Sequence, residues 1–143
     1  MKRNLVTGML TTLAPLLLIC VPSTYAQTAI RATVPFNFTV GKTKMPAGTY
    51  TITISRFSSS VIEIKGSKSV VSTVSSERGS GNDSPAKLVF NRYGDRYSLS
   101  KVSHGDGTNV LRLPTSKLEK EQRIASTSGA SEQKVVAATR MQE

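Results

Sequence analysis

Along residues 30–40 every second side chain is apolar, and this constrains the fold more than any other feature of the chain. Ile30, Ala32, Val34, Phe36, Phe38 and Val40 fall on one parity, and Arg31, Thr33, Pro35, Asn37 and Thr39 on the other. A period of two gathers the first set on one face of a pleated strand, whereas a helix would scatter it. Pro35 lacks a backbone N–H, which predicts an edge strand or a bulge at that point. The alternation resumes at Tyr50, Ile52 and Ile54, set among Thr49, Thr51, Thr53 and Ser55. Between the two runs, Gly41-Lys42-Thr43-Lys44 reads as a turn.

Further along, 61–64 and 70–74 are short β-branched runs around a turn at Lys65–Lys68. Residues 75–85 hold Gly79, Gly81, Asn82, Asp83 and Pro85 with little apolar content, and read as an exposed loop. Lys87–Tyr93 and Arg96–Val102 flank Gly94-Asp95. Glycine first in a two-residue loop fits a type II′ hairpin turn. That register sets Tyr93 opposite Arg96, Arg92 opposite Tyr97 and Phe90 opposite Leu99. Leu88, Phe90, Tyr97 and Leu99 then form a core face, with Arg92 placed for a cation–π contact on Tyr97. Val110–Leu113 is another short strand, ended by Pro114. Ser116 followed by Glu119 is a capping box, predicting a short charged helix over Lys117–Ala125. Lys134–Thr139 can return as a last strand or trail off as a tail.

The N-terminus has a different character. Met1-Lys2-Arg3-Asn4 is basic, Leu5–Val21 is mostly apolar, and Thr24-Tyr25-Ala26 offers small residues at positions −3 and −1 of a cleavage site. This is the layout of a secretory signal peptide cut after Ala26, rather than an uncleaved anchor. Cys20, the only cysteine, is preceded by Ile19, where lipid attachment wants a small residue, so it reads as filler of the apolar stretch. A chain with one cysteine builds no internal disulfide. The expected organisation is a signal peptide at 1–26, a β-domain at 27–115, and a helix with a tail or final strand at 116–143. The fold class is all-β: a small antiparallel β-sandwich or barrel-like domain of seven to eight strands with one short C-terminal helix. Most strands are too short to span a bilayer, which disfavours an outer-membrane barrel.

Three segments carry a resemblance. They are Val34-Pro35-Phe36-Asn37-Phe38-Thr39-Val40-Gly41, Met45-Pro46-Ala47-Gly48-Thr49-Tyr50-Thr51-Ile52, and Lys87 through Tyr97. Together with Leu113-Pro114 and the charged stretch after it, they resemble an uncharacterised family of small exported bacterial β-proteins of acidobacterial type. The resemblance covers most of the chain after the leader. It implies export and a β-fold, and it brings no activity, cofactor or catalytic residue.

The residues exclude several chemistries. His104 is the only imidazole, so no site can need two. A Ser–His–acid hydrolase would have to use it with Asp106 or Asp95, yet no G-x-S-x-G pattern is present. His104 sits in a Gly-rich turn and reads as a solvated polar residue. Gly41-Lys42-Thr43 lacks the upstream glycine of a phosphate loop, Phe36 standing there instead. Gly79-Ser80-Gly81 lacks the strand–helix setting of a dinucleotide site. Asp83, Asp95 and Asp106 have no calcium-loop spacing. Glu63, Glu77 and Asp95 are the acids a glycosidase would draw on, and nothing marks a pair among them. No cofactor is called for.

The formal net charge of +10 favours anionic contacts. Lys42, Lys44, Lys65, Lys68, Arg92, Arg96 and Lys101 are the possible contacts to an anionic surface. For an exported chain without nucleic-acid-binding motifs, the expected partner is an anionic envelope polymer or lipid surface, or another protein along a sheet edge, and not nucleic acid. The expectation is a non-enzymatic exported β-domain, periplasmic or extracellular, that binds or supports the envelope or secreted fraction. A hydrolase of envelope polymers and a strand-addition subunit are the alternatives.

Overall fold

The computed structural model describes residues 29–55, 61–75, 77–79, 85–105, 110–126 and 131–141. The expected leader, Cys20, Asp83 and Asp106 lie outside them. The protein is mostly β, a nearly closed, barrel-like and mostly antiparallel sheet with one short helix near the C-terminus. In chain order the strands are β1 (Ala29–Val34), β2 (Phe38–Val40), β3 (Thr43–Met45), β4 (Gly48–Ile54), β5 (Val61–Lys65), β6 (Val70–Val74), β7 (Glu77–Gly79), β8 (Lys87–Tyr93), β9 (Arg96–Ser103), β10 (Val110–Arg112) and β11 (Glu132–Met141), with α1 (Lys117–Ala125) before the last.

Neighbouring strands run β3-β2-β9-β8-β11-β1-β4-β5-β6. Strand β9 is shared on its far side. Its start, Tyr97 and Ser98, pairs with β2 in parallel, and its end pairs with β10, which carries β7. Two segments turn this layered arrangement into a barrel. Strand β11 pairs with β8 through Glu132–Ala137 and with β1 through Ala138–Met141. The chain also passes from β6, paired with β5, to β7, paired with β10, within two residues. Strands that change sheets in this way make the corners of sandwich-like barrels.

The run over 30–40 is two strands and not one. Strand β1 ends at Val34, and β2 starts at Phe38 beside β9. Pro35 marks neither an edge nor a bulge. It ends a strand that is paired on both sides, where the missing N–H would otherwise break a ladder. The alternation survives the corner because both halves face one interior: Ile30, Ala32, Val34, Phe38 and Val40 are buried, and Phe36 is half-buried against them.

The turn after β2 is Gly41-Lys42 alone, since Thr43 and Lys44 belong to β3. The segment read as a loop over 75–85 contains β7 and a buried Ser75. Backbone pairing with β10 forms this strand despite its lack of apolar residues. Residues 134–139 are strand. Val136 and Ala138 face the core while their neighbours face outward, a short version of the same alternation.

The hairpin β8–β9 has the expected register at Tyr93–Arg96, Arg92–Tyr97 and Phe90–Leu99. Gly94 takes φ +61 and Asp95 is not among the positive-φ residues, as a type II′ turn requires. A bulge between Val89 and Phe90 shifts the pairing, so that Leu88 meets Val102 and the core parity of β9 moves from odd to even residues.

Phe90 is fully buried at the centre. It meets Phe36 and Phe38 edge-on at 5.2 Å each, and Phe38 meets Tyr50 at 5.2 Å. Such pairs contribute about 0.5–1.5 kcal/mol each beyond their buried area. Arg31, Thr33, Thr49, Glu63 and Lys65 point outward. Apolar inside and polar outside is the reverse of an outer-membrane barrel. No helix among the described residues is long and apolar enough to cross a membrane.

Candidate functional site

The capping box forms the helix where the sequence places it. Ser116 has extended backbone, and its hydroxyl accepts the Glu119 N–H at 3.1 Å. The reciprocal half of the box is not made. Instead the Glu119 carboxylate turns toward the sheet, where Oε1 accepts Asn91 Nδ2 at 2.9 Å and the Tyr93 hydroxyl at 3.2 Å. Asn91 and Tyr93 have the opposite parity to Phe90, so α1 lies on the outer face of β8. Its buried residues are Glu119 and Gln122, while Ile124 stands 81% exposed. The helix is therefore seated by polar contacts and not by an apolar stripe. Its charges suit its ends, with Glu119 in the first turn and Arg123 in the last. Burial pushes the Tyr93 phenol above its ordinary value, and the neighbouring Glu119 charge and hydrogen bond push the same way, opposed by a Ser131 hydrogen bond and Arg123.

Helix α1, the β2–β3 hairpin and the β8–β9 turn together enclose a cleft of about 700 Å³. Phe38, Met45, Pro46, Tyr97 and Leu118 supply its apolar lining. Several of its polar residues have structural tasks. Asn37 Oδ1 accepts the Ala47 N–H at 2.9 Å, which ties the link after β3 to the start of β2. Thr39 donates to the Tyr97 carbonyl at 3.2 Å and lies 3.2 Å from the Ser98 hydroxyl, fastening β2 onto β9. Tyr97 stacks on Phe36 with ring centroids 4.0 Å apart. The remaining polar groups of the cleft are Lys44, Asp95 and Arg96, all exposed, and Gln122, which is buried. Gln122 Oε1 is enclosed and has no hydrogen-bond partner among the described residues. An acceptor buried in that state costs about 1–3 kcal/mol.

A smaller hollow of about 300 Å³ adjoins the cleft. It is lined by Pro46–Tyr50 and by the β5–β6 turn Gly66–Ser69, and Pro46 belongs to both. Tyr50 forms one wall, donating its hydroxyl to the Pro46 carbonyl, and burial holds its phenol above the ordinary value.

Of the seven basic residues singled out in the sequence, the fold brings Lys44 and Arg96 into the cleft and Lys68 into the adjoining hollow. Lys42 is exposed in the neighbouring turn and Lys65 at the end of β5. Arg92 is engaged elsewhere, with the Gly94 carbonyl at 2.8 Å, with Glu132 at 3.2 Å, and over the Tyr97 ring at 5.8 Å. Lys101 is half-buried along β9, opposite Val89 and Arg112.

His104 is not a solvated turn residue: it is buried, 1% exposed, just past β9. Its carbonyl accepts Arg140 Nη2 at 3.4 Å. The next residue, Gly105, takes φ +71 and lies so close to Ala86 that a Cβ would sit 2.4 Å from its nitrogen. Asp95 stands at the opposite end of β9 and does not orient it. The three acids considered for hydrolysis are also dispersed. Glu63 points outward from β5, Glu77 lies 3.8 Å from Arg112, and Asp95 is at the cleft. Among the described residues no three His, Cys, Asp or Glu side chains are grouped to hold a metal ion.

No protein-family model matches this chain, nor does any curated protein or solved structure compared with it.

Proposed function

We propose that this is a non-enzymatic exported β-domain that binds an anionic envelope polymer, with the cleft under α1 as its binding site. The observation that carries the reading is the pairing of Lys44 and Arg96 at a cleft with an apolar lining. Two strands distant in sequence, β3 and β9, bring these cations to one opening, and neither makes an ion pair or side-chain hydrogen bond among the described residues. Lys68 in the adjoining hollow extends positive charge past Pro46, which suits a chain-like ligand more than a compact one. The basic leader-like N-terminus and the resemblance to exported β-proteins support a periplasmic or extracellular location.

The test is a salt titration of binding to an acidic polysaccharide. Raising ionic strength from about 0.1 to 1 M shortens the screening length from about 10 to 3 Å and should weaken binding severalfold. The double variant Lys44→Gln, Arg96→Gln should lose most of the affinity, and Lys42→Gln, Lys65→Gln little. Binding that is indifferent to salt and to the cleft pair would refute the reading.

A further inference from the structure

Among the described residues three strands are paired on one side only: β3 with β2, β7 with β10, and β6 with β5. An open edge presents unpaired backbone N–H and C=O groups, and short length, charge or proline keeps it from pairing with another chain. Strand β3 has three residues, with exposed Lys44 at its centre and Pro46 just beyond it. Strand β7 has three, including Glu77 and Arg78. Strand β6 has none of these devices. Its five residues, Val70-Val71-Ser72-Thr73-Val74, include no charge and no proline. Val70 and Val74 stand 58% and 56% exposed on its outer face, with exposed Ser72 between them, while Val71 packs against the core. The open side thus offers backbone hydrogen bonds to an extended chain and an uncharged, β-branched row beside it.

Charge selects the occupant. At the start of β6 are Lys68, exposed in the turn, and Lys65 of β5, which pairs with Val70. Neither makes an ion pair among the described residues. The hollow lined by Pro46–Tyr50 and Gly66–Ser69 lies at this same end, since Ser69 precedes Val70, and no acidic residue lines it. Glu63, the acid on the neighbouring strand, stands level with Ser72 and not with this end. A strand added antiparallel to β6 finishes beside Val70 and brings its terminal carboxylate to these lysines. A parallel one would bring an ammonium group. A second copy of this chain, with the same formal net charge of +10, is opposed by repulsion. We propose that the free side of β6 takes the carboxy-terminal tail of a partner protein as an added antiparallel strand, with the terminal carboxylate beside Lys68 and β-branched residues opposite Val70 and Val74. Chain ends are the segments most often free of strand partners of their own. The proposal goes beyond the polymer reading of the cleft and does not depend on it.

The experiment is an ¹⁵N NMR titration of the protein with the acetylated peptide Gly-Ser-Val-Thr-Ser-Thr-Val bearing a free carboxylate, and with the same peptide amidated. Both are repeated on Lys68→Gln and on Val74→Lys, which lies at the other end of β6 from the hollow. Both substitutions are exposed and should leave the melting temperature nearly unchanged. The free acid should shift the backbone amides of Val70–Val74 and of the turn before them, and should slow amide exchange along β6. Amidation should weaken it about threefold to fivefold, the worth of an exposed ion pair. Lys68→Gln should abolish that difference, and Val74→Lys should weaken both peptides. Equal affinity of acid and amide, with Lys68→Gln without effect, would overturn the proposal. So would peptide shifts confined to residues outside β6 and its turn. Shifts of the β6 amides on raising protein concentration alone, relieved by Val74→Lys, would also overturn it, by assigning the edge to a second copy.

Discussion

The seating of α1 on a single carboxylate makes a quantitative prediction. Glu119→Ala removes one acceptor from two donors, Asn91 Nδ2 and the Tyr93 hydroxyl. A hydrogen bond to a charged group contributes about 1.5–3 kcal/mol. Asn91 is half-buried and regains some solvation when its partner goes, so the two losses do not add fully. We expect a destabilisation of about 2–4 kcal/mol, which lowers the melting temperature of a domain this size by about 10–25 °C. Glu119→Gln keeps the oxygen that both donors use. It loses only charge assistance and the favourable interaction with the helix N-terminus, together about 1 kcal/mol. Ser116→Ala, which removes the cap, should also cost about 1 kcal/mol. Urea unfolding of the four proteins, followed by circular dichroism at the β-sheet minimum, measures these differences. Equal losses for Glu119→Ala and Glu119→Gln would refute the assignment of the seat to shared acceptor geometry. A loss below about 0.5 kcal/mol for Glu119→Ala would show that the helix does not depend on this contact at all.

Other consequences are as direct. Gly105→Ala combines a left-handed φ of +71 with a Cβ 2.4 Å from the Ala86 nitrogen; it should cost at least about 2 kcal/mol in chemical denaturation. Both Tyr50 and Tyr93 are held above the ordinary phenol value of 10.0. The folded protein therefore keeps protons that the unfolded chain releases, so their contribution is complete below pH 10 and falls away as pH rises through and beyond it. Tyr93→Phe should flatten that alkaline decline in melting temperature. Phe38→Ala removes a ring that meets both Tyr50 and Phe90 and should cost about 3–5 kcal/mol by the same urea assay.

Local pattern made much of this fold readable, and tertiary geometry decided the rest. The type II′ turn at Gly94-Asp95 and the N-cap at Ser116 are signals spanning four residues or fewer, and the structure realises both, though Glu119 does not close the reciprocal half of the capping box. The alternation around Pro35 correctly assigned faces but not sheets, because a strand that crosses a barrel corner keeps its parity while it changes partners. Strand β7 left no apolar trace, since its order comes from backbone pairing with β10. The burial of His104, and the close approach of the next residue, Gly105, to Ala86 19 residues earlier in the chain, are tertiary features that no periodicity reports. At the cleft, the basic character of Lys44 and Arg96 was evident from composition, but their meeting was not. It depends on the parallel pairing of β2 with β9. Gln122, and the role of Glu119 beyond the capping box, escaped notice because their helix has no apolar stripe, and a polar residue on such a helix is ordinarily solvated.

The reading of the cleft as a ligand site is tested most directly by a crystal structure of the protein grown with trigalacturonate. It should show one sugar ring in the opening between α1 and the β2–β3 hairpin, with its carboxylate within about 3 Å of Lys44 or Arg96. A trisaccharide bound elsewhere on the barrel, with the cleft filled only by solvent, would contradict it.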